Sequence, residues 1–559
     1  LKTVTRGGNT AFAYFYDANG NIVQRTDPDP NAPNIGYTYD ALDRLIEVDE
    51  GDAARYEYDV ASNLTRTTLA PNNGYVEQRS YDRAGRLTEV RNDRAGVLLS
   101  RFVSTLDAVG NPVQVVRTGS LSETRTYSYD ASDRLTSVCF QAGSCPGGTD
   151  PFIRWTYDKV GNRLTEQRPA GTTSYTYDAR ERLLSAGATT FAYDQNGNQT
   201  QKGSETFTYD LANRLKTHDA GNTATTYLYD GDGKRLQAST GNQAAKKTNY
   251  VWDVSFTEPQ ISVERNGNGA RLRRYVYGHR RIRMLAPSGF YSYYLYDGLG
   301  SVSNLVSQIG DETQWTWSYE PFGAIRTEQK ASGKQPDNFM KFTGEYLDPT
   351  ALYHLRARQY DAGSGRFLTR DPAEQTVNES VVSAYAYVAN RPTVMVDPSG
   401  ETFRFAANGQ LAALLATSVE PNVLCLPTWC SGGGGGGRAG ARGGGATPPR
   451  TGVPGGGPLA NNLARAGEPK PGPGWIAHHI VAHRHRLAAR TRSILEAARI
   501  PINDARNGVW IRKRGGHPNA YYREVSARIE RAWTNGGART VERELARLKR
   551  QIKDGDLEP

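Results

Sequence analysis

At 559 residues, with 59 Gly, 32 Tyr against 15 Phe and only 3 Met, the chain is too long for one ordinary core and too rich in turn and strand formers for a helical protein. Its net charge of +10 sits almost wholly at one end: residues 1–400 carry 44 Lys+Arg against 46 Asp+Glu, 401–474 carry 6 against 3, and 475–559 carry 18 against 9. A basic module of that size points to a polyanionic partner, nucleic acid first, the alternative being a solvated Arg-rich helical surface. No apolar run approaches the roughly 20 residues of a membrane span, and no basic-then-apolar signal segment opens the chain. The opening Leu in place of Met points to the C-terminal part of a longer chain.

A Tyr-Asp dipeptide recurs at Tyr16, Tyr39, Tyr58, Tyr81, Tyr129, Tyr157, Tyr177, Tyr193, Tyr209, Tyr229 and Tyr296, with the period of stacked supersecondary units. Many units continue through a turn into Arg-Leu, as in Tyr81-Asp-Arg-Ala-Gly-Arg-Leu-Thr-Glu-Val. Each reads as a β-hairpin, with alternating strands on either side of a turn rich in Asp, Asn and Gly. Asp suits the turn because its carboxylate accepts from turn amides, while Tyr and Leu alternate onto the packed face. Carbohydrate binding or catalysis by so many Tyr and Asp side chains is the weaker reading, because every unit repeats them. A lone hairpin is barely stable, so the units are expected to pair edge to edge into one long sheet, which twist coils into a spiral or shell.

These units resemble the tyrosine-aspartate repeats of the Rhs family, over residues 10–320. The resemblance implies a mostly β fold for residues 1–320, a β-hairpin shell that encloses a C-terminal toxin.

After the repeats come Trp317-Ser-Tyr-Glu-Pro-Phe-Gly323, Leu352-Tyr-His-Leu-Arg-Ala-Arg-Gln-Tyr360, Gly365-Arg-Phe-Leu-Thr-Arg-Asp371 and Pro392-Thr-Val-Met-Val-Asp397-Pro-Ser-Gly400. This ordered series resembles the Rhs core-associated region, implying a plug over residues 321–400 that ends in Asp-Pro-any-Gly. In several family members the chain is cut just after that Gly, and aspartates are implicated. Carried over by position, Asp371 and Asp397 are the candidate carboxylates for scission after Gly400, with Arg370 beside the first. Two carboxylates held close can share a proton, one activating water while the other protonates the leaving group. Glu401 departs from the apolar residue that commonly follows the Gly, and both Asp-Pro pairs also read as tight-turn formers.

Residues 401–474 read as a short mixed segment followed by a tether: six consecutive glycines from Gly432 to Gly437 open a Gly/Pro/Ala/Arg-rich stretch that cannot bury a core. The four cysteines lie in two close pairs, Cys139 with Cys145 and Cys425 with Cys430. Their spacing fits local disulfides or free thiols rather than zinc ligands.

Five of the eight histidines fall after residue 475, in Trp475-Ile-Ala-His478-His479-Ile-Val-Ala-His483-Arg-His485 and at His517. Helices are expected over about Arg484 to Arg499, Pro518 to Trp533 and Thr540 to Ile552, each with an apolar face. Asn507-Gly508 reads as a hairpin turn leading into a short strand. Ala477-His478-His479, Asn507-Gly508-Val and His517 together resemble the AHH nucleases of the HNH/endonuclease VII superfamily, implying a small α+β domain of ββα-metal type over 475–559. By that resemblance His479 is the general base, His478 and His517 are metal ligands, and Asn507 holds the base or the scissile phosphate. Phosphodiester hydrolysis needs such a base and a divalent cation, Mg²⁺ before Zn²⁺ or another transition metal. Arg512, Lys513 and Arg514, then Arg484 and Arg486, are the candidate phosphate contacts. His479 and His483 as a zinc pair is the weaker reading, since the Glu-containing metalloprotease pattern is missing.

The combined expectation is a secreted or surface-delivered Rhs toxin whose metal-dependent nuclease acts on DNA in the cytoplasm of a target cell. The family implies a cognate immunity protein and a delivery machinery. An RNase, or a non-enzymatic shell or adhesin with a basic nucleic-acid-binding tail, is the alternative.

Overall fold

The computed structural model describes residues 2–406, apart from 7–8, 30–31, 52, 71–73, 144, 146–150, 222, 242, 244–245, 309–312, 334 and 373–382, and then 475–479, 491, 495, 500, 508–512 and 519–554. It divides into two compact units, Leu1–Ser431 and Gly432–Pro559.

Among the described residues of the first unit, thirty-one strands from Lys2–Arg6 to Ile325–Lys330 form one sheet. Each strand pairs antiparallel with the next in the chain, so the sheet is an unbroken meander, as the Tyr-Asp period predicts. The register slips just before the Tyr of each repeat, for example between Thr38 and Tyr39, Ser128 and Tyr129, and Leu295 and Tyr296. A recurring bulge of this kind bends each strand and strengthens its twist.

The slip brings the Tyr hydroxyl onto the hairpin before it. Tyr81 donates to the Leu64 carbonyl at 2.7 Å, Tyr157 to Leu135 at 2.7 Å, Tyr229 to Leu215 at 2.8 Å and Tyr296 to Arg281 at 2.7 Å. The Asp closes its own turn: Asp130 accepts from the Ser132 amide at 2.9 Å, the Arg134 amide at 3.0 Å and Arg134 Nε at 2.7 Å. Arg134 then donates onward to the Asp158 carbonyl of the following turn at 2.7 Å. Alternate turns carry Asn in the arginine's place. Asn111 donates to its own Asp107 at 3.2 Å and to Asp133 of the next turn at 3.0 Å. Asp133 takes a left-handed φ of 59° there, a conformation that Asp tolerates better than most residues.

The ribbon coils back on itself. Tyr14 donates to Asp253 at 2.8 Å, Arg274 reaches Asp27 at 2.8 Å and Glu50 at 2.5 Å, and Asn304 donates to Ser120 at 2.9 Å. The described residues of 339–406, short strands and turns, cover the strands of the second half of the sheet. Tyr346, Tyr353, Tyr360 and Tyr387 pack with Tyr250, Tyr275 and Trp317 in one buried cluster. This segment also ties the sheet's turns together, through Arg235–Asp348 at 2.6 Å, Lys202–Asp361 at 2.9 Å and Asn390 Nδ2 on the Gly161 carbonyl at 2.8 Å. Cys139 and Cys145 form a disulfide; Cys425 and Cys430 lie outside the described residues.

In the second unit, Trp475–His479 pairs antiparallel with Gly508–Arg512, and helical backbone runs over Asn519–Asp554. Sixteen residues of straight helix would span about 24 Å, yet Arg528 pairs with Glu544 at 2.6 Å. The helical run therefore doubles back between them, into the two arms expected from the apolar periodicity. Val525 and Ile529 are buried on one arm, Val541, Leu545 and Leu548 on the other. Of the helix expected from Arg484 to Arg499, Thr491 and Leu495 are helical and buried, and the rest lies outside the described residues. Gly508 differs from its expected place in a tight turn: it is the first residue of a strand and pairs with His479. The Asn-Gly signal is local, whereas this strand's partner lies some thirty residues upstream.

Candidate active sites

At the C-terminal end, the hairpin fixes the backbone of the histidine pair: His478 stands opposite Val509, His479 opposite Gly508 and Trp475 opposite Arg512. The helix begins at Asn519, just beyond His517, and lies against the strand Gly508–Arg512. Strand, the helical positions Thr491 and Leu495, strand and helix thus follow in chain order. Asn507, His517, Arg484, Arg486, Lys513 and Arg514 lie outside the described residues. Imidazoles such as those of His478 and His517 are a donor set suited to a divalent cation.

The second site is the end of the plug, where every group is in place. Three consecutive carbonyls are held by three consecutive residues: Arg356 Nη1 donates to Pro398 O, the Ala357 amide donates to Ser399 O at 3.1 Å, and Arg358 Nε donates to Gly400 O. Asp397 closes the turn beneath, accepting on Oδ1 from the Gly400 amide at 2.8 Å and from Ser399 Oγ at 3.0 Å. Its other oxygen lies 3.3 Å from Arg358 Nη2, which also meets Asp371 Oδ2 at 2.8 Å. Both candidate carboxylates thus converge on one nitrogen of one guanidinium, beside the peptide that follows Gly400. Burial pulls the Arg358 guanidinium below its usual pKa, against the opposing pull of Asp371 and Asp397. Burial, then the neighbouring Asp371, raises the Glu401 carboxyl.

Gly400 is required by this geometry. Its φ is +72°, and a Cβ there would lie 2.2 Å from the Leu355 carbonyl oxygen, a separation no side chain tolerates. Arg370 is exposed; the arginine that reaches both aspartates is Arg358. Sequence reasoning missed Arg356 and Arg358 because they stand 42 positions before the carbonyls they hold. Their one signal was the Arg-Ala-Arg within the Leu352–Tyr360 motif.

Three family models match the chain. The Teneurin YD-shell model matches residues 109–393, the RHS Repeat model residues 39–70, and a nuclease family of the HNH/ENDO VII superfamily with conserved AHH matches residues 459–552. The tRNA3(Ser)-specific nuclease WapA of Bacillus spizizenii is 26% identical over 425 residues, covering 67% of this chain and 16% of WapA. The probable deoxyribonuclease RhsB of Dickeya dadantii is 26% identical over 409 residues, covering 66% of this chain and 24% of RhsB. The chain therefore spans no more than about a quarter of the length of these relatives. The TcdB2-TccC3-TEV crystal structure superposes with a TM-score of 0.58 at 20% identity, over 70% of this chain and 21% of that one, and so shares the fold. With an unbroken meander of Tyr-Asp hairpins and a family model matching just over half its length, the chain belongs to the YD-shell family of Rhs-repeat proteins and carries an AHH-family segment near its C-terminal end.

Proposed function

We propose that this chain is part of a delivered toxin in which the sheet and plug carry a metal-dependent AHH nuclease that hydrolyses phosphodiester bonds of target-cell DNA. The observation that carries the reading is the AHH match over residues 459–552, within which the hairpin sets His478 and His479 opposite Val509 and Gly508. His479 takes a proton from the attacking water, a task suited to an imidazole of ordinary pKa. His478 and His517 would hold the divalent cation, which when bound offsets charge on the phosphate and the leaving oxygen. Asn507 orients the base or the phosphate. Arg512, Lys513 and Arg514, with Arg484 and Arg486, supply positive charge for the backbone of the substrate. RNA is the second reading, supported by the name of the WapA relative, a tRNA-specific nuclease.

The test uses the compact unit Gly432–Pro559, wild type and His479→Ala, with plasmid DNA and total RNA, in Mg²⁺ and in EDTA. Plasmid loss that needs Mg²⁺ and disappears in the variant supports the DNase. Loss of RNA alone keeps the site and changes the substrate. Binding without cutting of either would leave a nucleic-acid-binding tail. Delivery into a target cell and an immunity protein in the producer belong to the same reading, supported by the toxin relatives, among them Tse5 of Pseudomonas aeruginosa.

The plug supports a second activity in the same chain, hydrolysis of the peptide bond after Gly400. Asp371 and Asp397 meet on Arg358 beside that bond, and a carboxylate pair can activate water and protonate a leaving amine. Incubating the 559-residue chain and sequencing any new N-terminus tests it: a fragment beginning at Glu401 is the expected product.

A further inference from the structure

We infer that the outer face of the last helical arm is a binding surface for double-stranded DNA, with Arg543, Arg547 and Arg550 set along the phosphates of one strand. The inference rests on the nuclease reading and adds the form of the substrate, a duplex held on a surface apart from the basic residues already named.

Apolar residues decide which way the arm faces. Val541, Leu545, Leu548 and Ile552 are all buried, so the side that they share points inward. Arg543, Arg547 and Arg550 recur at the same helical spacing on the opposite side and are all exposed, Arg547 with 68% of its side chain. The other exposed residue between them is Ala546. Residues 540–552 hold two acids, Glu542 and Glu544. Glu544 is taken up by the other arm: Arg528 Nε and Nη2 both lie 2.6 Å from its Oε1, and Arg547 Nη1 is 3.8 Å from its Oε2. Glu542 is half-buried and sits about 100° round the axis from Arg543. The exposed stripe of the arm is therefore purely cationic.

Its length suits a duplex. From Arg543 to Arg550 the helix rises about 10.5 Å, and B-DNA carries one phosphate per roughly 3.4 Å of axis on each strand. The stripe thus spans about three phosphate steps, within reach of three long side chains whose guanidinium forks match phosphate geometry. Charges fixed on a rigid helix fit a backbone that is itself rigid. A single strand is held largely by stacking of its bases on aromatic rings, and residues 540–552 contain none. Contacts to phosphate hold and orient a duplex without reading its sequence.

The experiment titrates the 559-residue chain into a fluorescent 20-bp DNA duplex, and into one of its strands alone, over a series of salt concentrations and in EDTA so that nothing is cut. Wild type is compared with Arg543→Gln/Arg547→Gln/Arg550→Gln and with a control that removes three exposed charges from the first unit, Arg83→Gln/Arg180→Gln/Lys216→Gln. Each phosphate contact contributes about 0.9 to the slope of log affinity against log salt. The arm variant is therefore expected to lose about 2–3 of that slope on the duplex, with a smaller preference for duplex over single strand, while the control keeps the wild-type values. Circular dichroism checks the fold; if the triple variant does not fold, Arg547→Gln alone decides, with an expected loss of about 0.9. A wild-type slope in the arm variant overturns the assignment, as does an equal loss in the control, which would make net charge alone responsible. An unchanged preference for the duplex overturns the choice of a double strand. Plasmid cleavage in Mg²⁺, measured alongside, judges the nuclease reading separately. A wild type that binds through the arm and cuts nothing keeps the surface and loses the nuclease; one that cuts, with an unchanged slope in the arm variant, keeps the nuclease and loses the surface.

Discussion

Two stretches of the same sheet, built from the same hairpin, have opposite surroundings. In the strand Arg163–Arg168 only Arg163 and Glu166 are buried, Leu164 and Gln167 are exposed and the other two are half-buried. In Gln260–Asn266 the first five residues are all buried, as are the last five of Tyr291–Tyr296. The later strands have the first turns of the ribbon on one side and the plug on the other. Hydrophobic patterning therefore does not set their burial; coverage does. Arg274 and Glu264 lie on opposite faces of the sheet, and both are fully buried and meet partners: Arg274 with Asp27 and Glu50, Glu264 with Arg273 at 2.9 Å and with Tyr275 Oη at 2.5 Å. The same repeat can thus serve as wall or as core, provided its charges are answered from elsewhere in the coil.

The sharpest way to break this comparison is Arg274→Ala. It leaves Asp27 and Glu50 buried beside a missing cation, and losing one partner of a buried pair costs about 3–5 kcal/mol; denaturant unfolding measures it, and a loss below about 1 kcal/mol would mean the later strands are not core. The next effect lies on the seam between the two stretches, where His279 meets Tyr56 and Tyr58. Burial, then Arg79, lowers the His279 pKa from 6.5 to about 4. The neutral form is the folded one, so its contribution is fully present above pH 6.5 and is lost as pH falls toward about 4, at up to about 1.4 kcal/mol per pH unit. Thermal melts of wild type and His279→Gln across that window are expected to converge toward the acid end. A smaller loss is expected for Asp130→Ala, which removes the acceptor of three donors in one half-buried turn, about 1–2 kcal/mol by equilibrium unfolding. Smallest is Leu228→Ser on the outer face, 56% exposed, where a change within about 0.5 kcal/mol is expected; a larger loss there would show that the early stretch is also covered.

Much of this architecture was legible in the sequence because its signals are local. The Tyr-Asp period, the Arg-Leu that follows and the Gly-Asn turns each act within one hairpin, so the meander could be read without knowing what touches what. The coil could not be read in the same way. Arg274, Glu50 and Asp27 are more than two hundred residues apart in part, and nothing near any of them announces the others. At the plug, Asp371, Asp397 and Gly400 were legible from motif resemblance, whereas Arg358 was found only when folding brought it to Gly400 O. In the terminal module the two helical arms were visible in the apolar spacing, but the strand partner of Gly508 was not, since the Asn-Gly pair suggested a turn.

The onward bond from one turn to the next gives the ribbon a sense of direction. Arg86 donates to the Asp107 carbonyl at 3.0 Å, Arg134 to Asp158 at 2.7 Å and Arg214 to Asp230 at 3.0 Å; in each case the donor belongs to the earlier turn and the acceptor to the later. A chain that emerges from its N-terminal end, from a ribosome or through a pore, would meet at each of these arginine turns a finished turn with a hydrogen already pointing forward, ready to catch the carbonyl that comes next. At these turns, growth from the other end would offer the acceptor first, to which the incoming turn must bring its own long side chain. The ribbon is built like a ratchet, and its teeth face the order in which the chain is made.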